Sequence, residues 1–478
     1  MIQMHKITSQ DLEYFKDSSE VTFPAQLKVA ETELVCTDLL RLLAGKRMVC
    51  TGQYNDQRVL FKLFFGASYK RRWVRELDGV TLIKQADIKT PELIASHCDD
   101  DSGIGYIVFE FIDNAKTLDT CLNEAKTTDD RMLFFQQALT LIAQMHSADI
   151  YQKDVHLDNF LDNGNELYLI DGDQLALEKG SNGLSDKRVI ENLAMFFTQL
   201  FQWEHEYIDG FVTSYVELRK KAFPTNFLLS ITQQLADYKQ WREKKYIEKK
   251  VFRSCSAFDV IKNWRVFSVF SRKLDRCFVE QLVNNPDDFV EQGEVLKSGR
   301  TAIVVRIQLG DKAYILKRYN KKSQLHQCVR SLMTSRAAIS WKNGHLLVFN
   351  HIPTAEPLLM LENRRGIFRG RSYILTEYIE GCHAFEYFEK NESAIEFDAM
   401  AGKINKLVKH AHQSGFIHGD LKAHNIWIKG SEPLLIDLDG MKKNNGEKQL
   451  IEKDWSRLYR DLGKREFSQS LFRGVVLK

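Results

Sequence analysis

The sequence predicts an α+β protein in which one bilobal plan, a β-rich amino lobe followed by a helical carboxyl lobe, is used twice. Three observations point to it. Asp154, Asn159 and Asp171 lie at intervals of five and twelve residues, and Asp420, Asn425 and Asp437 repeat those intervals. Ahead of each first aspartate, apolar residues step by 4, 3, 1 and 3: Phe134, Ala138, Leu141, Ile142 and Met145 in one half, Met400, Ile404, Leu407, Val408 and Ala411 in the other. That is the apolar stripe of an amphipathic helix, and His146 and His412 fall in register, each eight residues before its aspartate. Further upstream, residues 106–112 (YIVFEFI) match residues 373–379 (YILTEYI).

The 478 residues suffice for two to three domains, each with its own core. A net charge of +3 is too small to argue for nucleic acid as a partner. The eight cysteines are scattered without a CxxC pair, which argues for a reducing compartment and against a disulfide framework or zinc site. The first residues do not read as a signal peptide, and no apolar run approaches the ~18 residues of a membrane span. The expected location is cytoplasmic.

Taken in order, residues 1–35 read as a polar lead-in. Residues 47–52 and 58–65 form a hairpin around Tyr-Asn-Asp-Gln, with Gly45 ahead of it and Lys62 in its second strand. Residues 73–80 supply a helix carrying Glu76, and 106–112 a strand ending near Glu110. A helix over 131–148 leads to the loop holding Asp154 and Asn159, and the strand 167–170 presents Asp171. Helical patterns follow over 188–201 and 211–245, interrupted at Pro224. Residues 239–253 hold seven basic residues against two acidic ones, either a solvated helix face or a dock for a phosphorylated or membrane-surface partner. The boundary is expected within 262–285, giving domains 1–275 and 276–478. In the second, Gly299 precedes a hairpin over 302–319 whose second strand carries Lys317. No Asp or Glu occurs from 318 to 355, and Ser340 falls where Glu76 stands in the first half. That segment instead carries Lys321, Lys322, Arg330, Arg336 and Lys342. The strand 373–379 ends near Glu377, and only 41 residues follow Asp437, so the second carboxyl lobe is short.

The repeated triad has the composition that phosphoryl transfer needs. One carboxylate accepts the proton of an attacking hydroxyl, and an amide and a second carboxylate hold a metal against nucleotide phosphates. An Asp and an Asn five apart are weak alone. The flanking apolar segments and the duplication make the combination specific. The plain alternatives are a solvent-facing lysine at Lys62, a helix-surface charge at Glu76 and an exposed strand end at Glu110.

Both halves resemble the protein-kinase-like superfamily, and more narrowly the bacterial lipopolysaccharide core sugar (heptose and Kdo) kinases grouped with the InaA-like toluene-tolerance proteins. The first half matches through residues 59–65 (VLFKLFF), 154–161 (DVHLDNFL) and 170–173 (IDGD), the second through 315–320 (ILKRYN), 418–425 (HGDLKAHN) and 436–439 (IDLD). The resemblance implies two tandem protein-kinase-like domains using ATP and Mg2+. It implies Asp154 and Asp420 as bases, and Asn159, Asp171, Asn425 and Asp437 as metal ligands. Lys62 paired with Glu76, Lys317, Lys422 and the hinge strands ending at Glu110 and Glu377 would hold nucleotide. The acceptor it implies is a lipid-linked core saccharide, met by a protein peripheral to the inner membrane. There are departures. Gln152-Lys153 precedes the first base where His-Gly precedes the second, neither half has a full GxGxxG loop, and the second lacks the helix glutamate. The first domain is therefore expected to be the stronger catalyst. Two alternatives stand beside this: a pseudokinase or scaffold in envelope assembly, and a kinase of protein or of other small molecules, whose enzymes share the His-Gly-Asp-Leu signature.

Overall fold

The computed structural model describes residues 5–8, 11–12, 22–178, 183–320, 333–390, 394–444 and 446–462. They divide into two compact units, 1–200 with 204–238, and 201–203 with 239–478.

The first unit opens with β1 (His5–Ile7), β2 (Ala25–Val29), β3 (Thr32–Leu43), β4 (Arg47–Tyr54), β5 (Gln57–Phe64), β6 (Leu93–Asp99) and β7 (Ile104–Glu110). Their order in the sheet is β1-β2-β3-β4-β5-β7-β6, antiparallel except for the β1–β2 pair. Side chains in β5 alternate: Val59, Phe61 and Leu63 enter the core, so Lys62 is carried on the other face. Asn55 and Asp56, both at positive φ, close a two-residue β4–β5 hairpin, the conformation that matches strand twist. The expected lead-in holds two strands of this sheet: His5–Ile7 forms β1, and Ala25, Leu27 and Val29 are buried as β2 pairs with β3.

Helix α1 (Tyr69–Gln85) lies between β5 and β6. It packs tightly on the turn at Gly172, where a Cβ added to Gly79 would lie 1.9 Å from the Gly172 carbonyl oxygen. The carboxyl lobe holds α2 (Leu118–Glu124), α3 (Thr128–Ser147), α4 (Asp186–Phe197), α5 (Ile208–Arg219) and α6 (Phe227–Tyr246). A capping box of Thr127 and Asp130 starts α3. Its stripe of Ala138, Leu141, Ile142 and Met145 is buried with Phe135, Phe196, Phe197 and Tyr215. Phe134, expected in that stripe, is only half-buried, because Phe135 takes the core position.

The second unit repeats the plan. Its sheet contains β8 (Phe258–Lys262), β9 (Val266–Ser271), β10 (Glu294–Ser298), β11 (Ala302–Leu309), β12 (Lys312–Tyr319), β13 (Pro357–Arg365) and β14 (Phe368–Glu377), ordered β8-β9-β13-β14-β12-β11-β10. Because β9 pairs with β13, residues 258–271 belong to this sheet, and the division falls within α6 instead of at 275/276. Helices α7 (Arg276–Asn284) and α8 (Pro286–Gln292) precede β10, and α9 (Arg336–Phe349), capped by Ser335, lies between β12 and β13. The carboxyl lobe is α10 (Ala384–Lys390), α11 (Ala394–Gln413) and α12 (Lys448–Leu462). Here the whole expected stripe is buried: Met400, Ile404, Leu407, Val408 and Ala411.

The basic run at 239–253 is not one solvated face. Lys239 turns inward to Gln202 Oε1 at 3.0 Å and burial lowers its pKa to about 8, whereas Lys244, Lys245, Lys249 and Lys250 are exposed. Of the second basic segment, Lys321, Lys322 and Arg330 lie outside the described residues. Among the described residues no helix is long and apolar enough to cross a membrane.

Candidate active site

In the first unit β5 carries Lys62 to meet Glu76 from α1. Lys62 Nζ lies 2.5 Å from Glu76 Oε1 and 3.4 Å from Asp171 Oδ1. The Glu76 side chain is only 1% exposed and also accepts from the Gly172 amide at 3.3 Å. The solvent-facing alternatives for both residues are therefore set aside. Burial works to lower the Lys62 pKa, but Glu76 and Asp171 outweigh it and raise the value. At Asp171 burial acts to raise the pKa, and Lys62 with Arg47 pulls it below the usual carboxylate range. A cavity of about 480 Å3 opens over this cluster, lined by Leu40, Val49, Lys62, Glu76, Glu110, Asn159 and Asp171 among others. Its size and mixed lining suit a nucleotide.

Sequence reasoning missed Arg47. It opens β4 directly after the Gly45 turn, its side chain is mostly buried, and its Nη1 lies 3.3 Å from Asp171 Oδ1 and 3.7 Å from Asp173 Oδ2. A cation following the glycine turn was the available signal, because that turn holds a single glycine and no full GxGxxG loop to bring main-chain amides onto phosphate.

In the second unit Lys317 pairs directly with Asp437, which supplies the acidic partner absent from residues 318–355. Asp437 and Tyr319 raise the Lys317 pKa against the opposing effect of burial. Burial acts to raise the Asp437 pKa, and Lys317 more than offsets it. Ser340 is buried and contacts Tyr319 Oη at 2.8 Å, so the helix position that holds Glu76 in the first unit is spent on packing. Arg336, at the start of α9, pairs with Asp439.

The two catalytic loops are built alike around their asparagines. Asn159 Nδ2 donates to the Asp154 carbonyl (3.2 Å) and Asn425 Nδ2 to that of Asp420 (2.8 Å). Ile170 N donates to Asn159 O and Ile436 N to Asn425 O, which brings each following aspartate beside its asparagine. Asp171 and Asp437 both have left-handed backbones, at φ 70° and 63°. In the second loop, Asp420 Oδ2 also accepts from Lys422 Nζ (2.9 Å) and Asn425 Nδ2 (3.2 Å). Glu110 and Glu377 do similar structural work. Each bonds the main-chain amide of the neighbouring segment, Glu92 at 3.3 Å and Glu356 at 3.1 Å, which fixes the hinge strand.

Two further acids escaped the sequence reading, both on α12. Asp454 is fully buried and accepts from the amides of His418 and Gly419, and Asp461 accepts from the Ala423 amide at 2.7 Å. In the first unit, Gln152 is buried in the place of His418, and Asn192 contacts its carbonyl. The in-register histidines point to the same helices: His146 Nε2 meets Asn192 Oδ1 at 2.9 Å, and His412 Nε2 meets Asp454 Oδ2 at 3.4 Å.

The donor atoms fit a hard divalent cation. Glu76, Asp171 and Asp173 each place a carboxylate oxygen within 4.8 Å of the others. Because the Asn159 amide nitrogen is turned to the Asp154 carbonyl, its oxygen is the atom offered.

A model of the lipopolysaccharide kinase (Kdo/WaaP) family matches residues 58–205 and 280–473, well over half of the chain and once in each unit. No curated protein matches the sequence. Among solved structures, WaaP in complex with acyl carrier protein is 14% identical, with 44% of this chain and 88% of that one covered and a TM-score of 0.33. The bifunctional kinase-methyltransferase WbdD is also 14% identical, covering 44% of this chain and 54% of its own, with a TM-score of 0.31. The chain belongs to the lipopolysaccharide kinase (Kdo/WaaP) family, as an ATP-dependent sugar kinase with two protein-kinase-like domains in tandem.

Proposed function

We propose that the chain transfers the γ-phosphoryl group of ATP to a hydroxyl of a heptose, Kdo or related core sugar on a lipid-linked saccharide, with the first unit as the principal site. The single observation that carries this is Lys62 held between Glu76 and Asp171 on the wall of the 480 Å3 cavity. In this reading Lys62 reaches the α- and β-phosphates, and Asp154 and Asp420 accept the hydroxyl proton in their respective units. Mg2+, held by Asn159 and Asp171 in one unit and by Asn425 and Asp437 in the other, would neutralise phosphate charge. Catalysis is then mainly positioning: Glu76 fixes the lysine, and Asn159 ties the base-bearing loop to the metal-binding strand.

The second unit retains a base, an asparagine and a lysine, and its loop is anchored by Asp454. The replacement of the helix glutamate by Ser340 favours slower transfer there, or a role in holding the acceptor. The protein would work at the cytoplasmic face of the inner membrane. Phosphorus NMR of core oligosaccharide incubated with protein and ATP tests the reaction. A new phosphomonoester signal that requires the protein is expected, and ATP consumption without one would transfer the activity to another acceptor class.

A further inference from the structure

The sheet of the second unit ends in two adjacent turns that hold large apolar side chains in water. Residues 263–265 join β8 to β9, and residues 366–367 join β13 to β14. The β9–β13 pairing, with Val266 opposite Asn363, continues into the turns: Arg364 N donates to Arg265 O at 2.6 Å and Gly366 N to Trp264 O at 3.0 Å. Gly366 has φ 60°, and a Cβ there would lie 2.6 Å from the Trp264 ring. The indole thus rests across the glycine, fixed at the tip yet 76% exposed, with Ile367 at 72% and Phe368 at 49% beside it.

The charge around this tip is one-sided. Lys262, Arg265 and Arg365 are exposed, and residues 260–274 and 363–376 contain no Asp or Glu. Glu362 is buried and already compensated by Arg364 and Arg369. Three side chains on turn tips are far short of the ~800 Å2 per partner that a stable protein interface needs. They match instead the chemistry of interfacial insertion, where Trp and aliphatic side chains enter the headgroup layer and Lys or Arg meets anionic lipid.

We propose that this tip docks the second unit on an anionic phospholipid bilayer, with Trp264, Ile367 and Phe368 entering the headgroup layer and Lys262, Arg265 and Arg365 pairing with lipid phosphates. Its use rests on the membrane-borne acceptor proposed above, whereas lipid binding itself requires no catalysis. The test is co-sedimentation of the full chain with phosphatidylcholine vesicles, with or without phosphatidylglycerol. The wild type should partition to the anionic vesicles. The combined Trp264→Ser, Ile367→Ser, Phe368→Ser variant should bind about tenfold more weakly, and Lys262→Glu with Arg265→Glu should bind more weakly again. Both variants should keep the wild-type melting temperature and its shift with ATP. Wild-type binding by the serine variant, or equal binding to both vesicle types, overturns the proposal. So does a lipid-free dimer that the serine variant abolishes, because the tip would then hold a second copy. Vesicle binding without phosphotransfer to core oligosaccharide would keep the docking site and remove the proposed acceptor, and the reverse result would do the opposite.

Discussion

The carboxylate of Asp454 accepts hydrogen bonds from the main-chain amides of His418, at 2.7 Å, and Gly419, at 3.0 Å, the two residues before Asp420. In the first unit the matching contact has the opposite polarity: Asn192 Nδ2 donates to the Gln152 carbonyl at 2.5 Å. One loop is held through its amides and the other through a carbonyl, so the two tolerate different substitutions.

Asp454→Ala leaves two amides without their acceptor, at about 1–3 kcal/mol for each group that stays buried. A loss of about 2–4 kcal/mol in the stability of the second unit is expected, with faster amide exchange at Gly419. Asp454→Asn keeps one oxygen acceptor and should lose less. Equal losses for the two variants would show that the amide bonds are not what Asp454 contributes.

Glu76→Gln removes the charge that fixes Lys62 while keeping its shape. Turnover should fall about 10- to 100-fold, with a smaller change in ATP affinity, because a misplaced lysine harms transition-state alignment more than binding. Steady-state kinetics and ATP titration of the same variant separate the two effects. A change confined to affinity would contradict the positioning role.

Arg47 pairs with Asp171 and Asp173, and in the proposed reaction its charge would oppose a metal there and attract phosphate. Arg47→Ala should raise the KM for ATP about tenfold and lower the Mg2+ concentration needed for half-maximal rate. If both constants stay put, Arg47 is only a packing residue.

The buried histidines make both units sensitive to acid. Burial pushes the pKa of His146 down to about 3, and that of His345 in the second unit likewise to about 3. An unfolded histidine titrates near 6.5. Between about 6.5 and 3 the unfolded chain therefore binds protons that the folded chain does not, and stability falls as pH falls. The slope is about 1.4 kcal/mol per pH unit for each such histidine, with a plateau above pH 6.5. Urea unfolding at a series of pH values measures it. His146→Gln should flatten the slope for the first unit, and an unchanged slope would remove His146 as its source.

Much of the plan was legible because it is local or periodic. The paired triads, the helix stripes and both hairpins lie in continuous segments, and Glu76 could be matched to Lys62 across only 14 residues. What was missed depends on distant pairing. Asp437 reaches Lys317 across 120 residues, and Asp454 reaches His418 from a helix that looked like the end of a short lobe. Strand β2 is five residues long and pairs on one side with the three-residue β1, too brief for alternation to stand out. Strands β8 and β9 went unread, and lie ahead of the expected 275/276 boundary, because their sheet partner β13 follows about 90 residues later, beyond any local signal. Arg47 looks like an ordinary first strand residue until the fold brings Asp171 beside it.

The relative weight of the two units is decided most directly by phosphotransfer rates of the full-length protein carrying Asp154→Asn or Asp420→Asn, measured with the same ATP and core oligosaccharide. Each change preserves shape and removes one proton acceptor. Asp154→Asn should lower the rate about 100-fold or more, and Asp420→Asn should leave most of it. A rate that survives Asp154→Asn and collapses with Asp420→Asn would contradict the account and place the reaction in the second unit.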